Sequence, residues 1–170
     1  DLKLHDIPNT VKNAIRAIEK LKPTLTTIHI SGGDIMQQAS VLNNKRKIKI
    51  LGVSILTSLN SSQTKKYYNE NNIKKLVNNF VNYAKKNKLD GVVCSPLEIK
   101  IVRKILGKKF IIVVPGIRPK NYNKKNDDQK RIIDPKKAIE FGADYLVIGR
   151  PITESKNPLK EIKKINKSII

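Results

Sequence analysis

At 170 residues the chain has room for one well-buried domain and not for two ordinary ones, and one Cys and two His exclude a disulfide framework and a Cys-based zinc cluster. No apolar run reaches membrane-spanning length and nothing resembles a signal peptide, so the expectation is a cytoplasmic protein without a transition metal. A net charge of +21 raises nucleic acid as a partner, but only six of the 35 basic residues are Arg and aromatics make up 5% of the chain.

The Lys are spread over nearly every polar stretch, together with abundant Asn and Ile, as AT-biased coding would give. They read as solvated helix faces, so neither nucleic acid nor membrane is expected as a partner.

Apolar runs of strand length alternate with helical periodicity along the whole chain. Strands are predicted over residues 1–5, 27–31, 47–56, 91–95, 110–116 and 145–150. Helices are predicted over 10–21, 34–43, 73–86, 96–106, 135–141 and 158–169. The runs at 111–114 and 145–148 are nearly all apolar, as expected of strands covered on both faces. Regular βα alternation of this kind points to a TIM barrel or to an open doubly wound sheet.

The chain begins at Asp1 without Met and inside the first predicted strand, which reads as a fragment. A full barrel of about 250 residues would need about two more βα units, each about 30 residues long. The polar stretch 118–131 reads as a mobile loop after a strand, the usual place for a substrate lid.

The first strand carries the most informative residues. With a side-chain period of two, Asp1 and Lys3 share one face and Leu2 and Leu4 the other. In a barrel this buries a Lys beside an Asp, which is costly unless the two pair closely, and such pairs at strand ends are usually functional. Asp6 follows where the strand ends and Pro8-Asn9-Thr10 turns into a helix. A structural ion pair with a capping turn is the plainer alternative. Cys94 lies in a buried-strand pattern and reads as a core thiol. His29 reads as a strand-end hydrogen-bonding residue, and His5 shares the parity of Asp1 and Lys3. Ser31-Gly32-Gly33 could cradle an anion but lacks the Lys-Ser/Thr pair of a P-loop. Lys dominates the chain, yet Arg stands at 118 and 150, near two strand ends. A guanidinium offers phosphate a bidentate fork that an ammonium cannot.

The run Asp1-Leu2-Lys3-Leu4-His5-Asp6-Ile7-Pro8-Asn9-Thr10 closely resembles the signature of bacterial orotidine 5′-phosphate decarboxylases. Matching segments follow through the chain: His29–Gly33, Leu56-Thr57-Ser58, Gly91–Ser95, Pro115–Pro119, Asp128–Arg131 and Ile148–Thr153. The resemblance implies one partial TIM (β/α)8 barrel domain over 1–170, lacking about the first two βα units. It implies decarboxylation of orotidine 5′-phosphate to UMP, the last step of de novo pyrimidine synthesis, with no cofactor and no metal. Lys3 would be the proton donor, Asp1 its partner beside the departing carboxylate, and Asp6 the third charged residue of the set. Asp6, Ile7 and Thr10 would reach across a homodimer interface. Thr57 would bind the pyrimidine, and Gln129, Gly149, Arg150 and Arg118 the 5′-phosphate. Family members carry a further Lys and Asp on the first two strands, which this sequence does not contain, so the 170-residue piece alone is expected to be inactive. Two rivals remain. One is a magnesium-dependent sugar-phosphate enzyme of the same suprafamily, separable by its sensitivity to chelators. The other is a non-catalytic nucleotide- or RNA-binding protein.

Overall fold

The computed structural model describes residues 1–42, 48–119, 122 and 131–169. Its elements in chain order are α1 (Pro8–Glu19), β1 (Leu25–His29), α2 (Gly33–Leu42), β2 (Lys49–Val53), α3 (Ser61–Tyr68), α4 (Ile73–Lys86), β3 (Gly91–Val93), α5 (Ile99–Leu106), β4 (Ile111–Val114), α6 (Pro135–Glu140), β5 (Tyr145–Leu146), α7 (Arg150–Thr153) and α8 (Pro158–Ile169).

The strands pair in parallel in the order β1-β2-β3-β4-β5. A doubly wound sheet reverses its strand order at a switch point. This sheet has no reversal, so it is the wall of a (β/α) barrel. Leu4 adds a parallel bridge to Ile28 on the free side of β1.

Register separates the two faces of the wall. Ile28, Gly52, Val92 and Ile112 are paired in one row. The three aliphatic members are fully buried in a core shared with Val11 and Ile15 of α1, Val81 of α4 and Val102 of α5. Burial of each such side chain contributes about 1.5–3 kcal/mol. Gly52 is required in this row, because a Cβ there would come within 2.6 Å of Ile30 and 2.8 Å of Leu89. The row His29, Val53, Val93, Val113 and Tyr145 faces the other way, into the barrel.

An aspartate device recurs at the start of two strands. Asp90, just before β3, accepts the Ile50 N–H at 3.0 Å and gives its own N–H to the Ile50 carbonyl. Asp144, just before β5, does the same with Ile112, at 2.7 Å to the carboxylate. Arg103 then fastens Asp144 by an ion pair of 2.6 Å and donates to the carbonyls of Gly142, Gly107 and Phe110.

Several expectations shift. Residues 1–5 form no regular strand: only Leu4 bridges β1, and Lys3 has a positive φ of 50°. Among the described residues this segment pairs with β1 alone, through that single bridge. The expected strands 27–31, 47–56, 91–95, 110–116 and 145–150 are shorter, because the chain turns away as soon as ladder pairing ends. Arg150 is the first residue of α7, not a strand end. Tyr145 and Val147 are about half exposed, so the last strand is not covered on both faces as expected, since β5 is an edge of the described sheet. Helices α3 and α7 were not expected. Residues 43 and 47, at the ends of two predicted elements, and most of the expected loop 118–131 lie outside the described residues. Among the described residues no helix is long and apolar enough to cross a membrane.

The Asp144 device is testable. Asp144→Ala removes the side-chain acceptor of the Ile112 N–H and the counterion of Arg103, which keeps its carbonyl partners, and should cost about 1–3 kcal/mol, read as a lower urea midpoint with unchanged m-value.

Candidate active site at the strand ends

Because all the strands are parallel, the loops after β1 to β5 converge on one rim, and the candidate residues collect there. The Lys3 ammonium forms an ion pair with Asp1. The other Asp1 oxygen accepts the Thr27 hydroxyl, and the Lys3 N–H donates to that same Thr27 oxygen at 2.9 Å. Two further backbone bonds, Leu4 N–H to Thr27 and His29 N–H to Leu4, at 3.0 and 2.9 Å, hold this segment to β1. The expected pairing of Asp1 with Lys3 is therefore present. Its expected burial is not: the side chains of Asp1 and Lys3 are 54% and 44% exposed.

Leu4 packs against the core while Leu2 is exposed. His5 lies on the inner side, its ring centroid 5.3 Å from that of His29. Burial lowers the His29 pKa from its ordinary value, with His5 and the Lys3 charge adding in the same direction. Burial and the neighbouring Lys3 charge thus both disfavour the protonated form of His29. Gly32 lets this corner close up, since a Cβ there would collide with the Met36 thioether and come within 3.3 Å of His5.

Asp6 accepts the Ile7 N–H at 2.6 Å, and Pro8 occupies the first turn of α1. Asp6, Ile7 and Thr10 are all exposed, and His5 to Pro8 face Ser31 and Gly32 across an open groove of about 530 Å³.

Further along the rim, Thr57 follows β2 and is half-buried. Arg118 follows β4 and is buried, its guanidinium donating to the Ile117 carbonyl at 3.0 Å and lying 5.4 Å from the Tyr122 ring. Gly149 caps the N-terminus of α7, and a Cβ there would meet nothing within 4 Å. The space beside Gly149 is therefore open, and Arg150 begins the helix next to it. Gln129 lies outside the described residues. Cys94 is a buried core thiol whose pKa burial pushes far up, as its strand pattern implied.

Sequence reasoning missed one polar cluster. Glu98 and Arg131 form a buried ion pair of 2.8 Å, with the Ser95 hydroxyl on the second Glu98 oxygen. The available signal was a Glu set among apolar residues in Ser95-Pro96-Leu97-Glu98-Ile99.

Comparison with known proteins gives a consistent set of relatives. The family model described as "Orotidine 5′-phosphate decarboxylase / HUMPS family" matches residues 1–165. An orotidine 5′-phosphate decarboxylase of Staphylococcus saprophyticus is 45% identical over 99% of this chain and 74% of its own length. That of Wolbachia pipientis is 46% identical over the same shares, 99% and 74%. Among solved structures, the Lactobacillus acidophilus orotidine 5′-phosphate decarboxylase superposes with a TM-score of 0.81 at 34% identity, covering 99% of this chain and 73% of that one. The Pyrococcus horikoshii enzyme gives 0.71 at 25% identity, over 98% and 71%.

The His29 environment has a consequence for stability. Between pH 6.5 and its lowered folded value, this histidine is protonated in the unfolded chain but not in the folded one. Stability should therefore fall as pH drops from 6.5 to the lowered value, with no further loss from this group below it. Melting temperatures measured across this window should fall less steeply in His29→Gln; an equal slope would contradict the assignment.

Proposed function

This chain belongs to the orotidine 5′-phosphate decarboxylase family, and on that premise we propose how its residues divide the work of converting orotidine 5′-phosphate to UMP and CO2. The supporting observation is the Lys3 ammonium, paired with Asp1 and anchored on Thr27 at the rim of a parallel barrel wall.

Breaking the bond between C6 and the carboxylate leaves an electron pair in the plane of the pyrimidine ring, where no adjacent π-system can take it up. A cation facing C6 stabilises that charge as it develops. Lys3 then transfers one N–H proton to C6, CO2 departs, and solvent reprotonates the amine. No metal or coenzyme is required in this scheme. Asp1 fixes the direction of the ammonium and lies close to the leaving carboxylate, an interaction relieved as CO2 departs. Thr57 holds the pyrimidine. Gly149, Arg150 and Arg118 hold the 5′-phosphate together with Gln129, so binding energy far from the breaking bond helps position it.

Asp6, Ile7 and Thr10 complete the site of a second subunit in a homodimer. Their exposure supports this, Ile7 above all, since an apolar side chain 67% exposed beside an open groove is suited to cover by a partner. The protein in this reading is a single barrel domain working in the cytoplasm.

The decisive variant is Lys3→Ala in the full-length protein as encoded. It should lose at least about 10²–10⁴-fold in turnover while still binding UMP. Full turnover, or loss of UMP binding with turnover per bound substrate unchanged, would contradict the assigned role. The 170-residue chain by itself should show no measurable decarboxylation. Its described sheet is not closed, and the Lys3–Asp1 pair is left half in water. Turnover by that chain at the rate of the full-length enzyme would overturn this expectation.

A further inference from the structure

The geometry points to Arg131 as a positioning residue for the pyrimidine end of the site, acting through the backbone at Leu56 and Thr57. Each edge of its guanidinium is committed. One Nη donates to Glu98 at 2.8 Å, the other to the Leu56 carbonyl at 2.9 Å, and Nε to the Thr57 carbonyl at 3.4 Å. Glu98 is in turn held by the Ser95 hydroxyl. Both charged side chains are more than nine-tenths buried, at 9% and 4% exposure.

A buried arginine that gives two of its arms to main-chain carbonyls fixes the peptide planes it touches. Here those planes are the ones that carry Thr57. The chain that follows Arg131 is itself held to the rim. Ile133 N–H donates to the Gly116 carbonyl at 3.3 Å, and Arg118 N–H donates to the Ile133 carbonyl at 2.9 Å. Residues 131–133 thereby join three loops of the rim: the one after β2 through Leu56 and Thr57, the one after β3 through Glu98, and the one after β4 through Gly116 and Arg118. Loops of a barrel rim are otherwise independent, and one fixed cation gives them a common reference. The pair is also costly to break, because removing one member leaves the other charge buried without its counterion. A lysine offers one point of charge and cannot serve three acceptors in a plane.

The inference rests on the reading of Thr57 as the pyrimidine-binding residue, and a double-mutant cycle separates the two. In the full-length protein, kcat/KM for orotidine 5′-phosphate is measured for Thr57→Val, Arg131→Lys and the double variant. Glu98→Gln, which keeps the shape and removes the charge, serves as a milder perturbation should the lysine variant fold poorly. The expected result is a loss of at least about tenfold for each single variant and a double variant no worse than the poorer single one. Glu98→Gln should show the same non-additivity with Thr57→Val, with a smaller loss. Losses that multiply in the doubles, or an Arg131→Lys enzyme within about twofold of the parent, would overturn the positioning role. A silent Thr57→Val would instead overturn the reading of Thr57, and with it the target assigned to Arg131.

Discussion

Parallel pairing between strands taken in sequence order constrains everything else in this molecule. Each strand must run in the same direction as the one before it, so the chain returns through a helix every time, and every strand ends on the same rim. Five successive strands therefore deliver Thr27 and His29, Thr57, Ser95, Arg118 and Gly149 to one side, each strand's contribution lying far in sequence from the next. Register then decides which side chains face inward. The row of Ile28, Gly52, Val92 and Ile112 goes to the helices, and the row of His29, Val53, Val93 and Val113 goes to the barrel interior. A slip of one residue would exchange the two rows and remove the site together with the core.

The two ends of the wall divide stability and chemistry between them. At the entry end, Asp90 and Asp144 each tie the start of a strand to its neighbour, with Arg103 fastened across several carbonyls. These charges are used up in structure. At the exit end, the Lys3–Asp1 pair and the open space at Gly149 keep their charge and backbone accessible to a ligand. The Glu98–Arg131 pair belongs to the exit end but behaves like the entry-end devices: it is buried, each guanidinium nitrogen of Arg131 donates a hydrogen bond, and two of these go to backbone carbonyls. A rim that must hold a ligand's two ends at a set distance needs such a rigid element between its loops.

Helices with a strong apolar stripe could be read from the sequence, α4 and α8 to the residue and α1 and α5 to within two or three at their ends. α4 buries Leu76, Val77, Val81 and Ala84 on one face and is opened by the Asn72 side chain, and its bounds match those expected. α8 matches equally well. α3 buries only Thr64, so it has no stripe to find, and its sole mark in the sequence is the reciprocal capping pair of Asn60 and Gln63. α7 was hidden because the apolar run of β5 continues to Ile148, just before Gly149-Arg150-Pro151, and strand and helix share the pattern. The site's charged pair was legible from the spacing of Asp1 and Lys3, whereas its exposure was not, since periodicity says nothing of how many neighbours a strand has. The contact between Glu98 and Arg131 joins residues 33 apart in sequence, and nothing local announces it.

The proposed chemistry requires the Lys3 ammonium to face the ring carbon that loses CO2. A crystal structure of the full-length protein with UMP tests this most directly. Lys3 Nζ should lie within about 3.5 Å of C6, with Asp1 still paired to it. A lysine turned out of the barrel mouth, or a nucleotide bound away from the rim that carries Thr57 and Arg150, would contradict it.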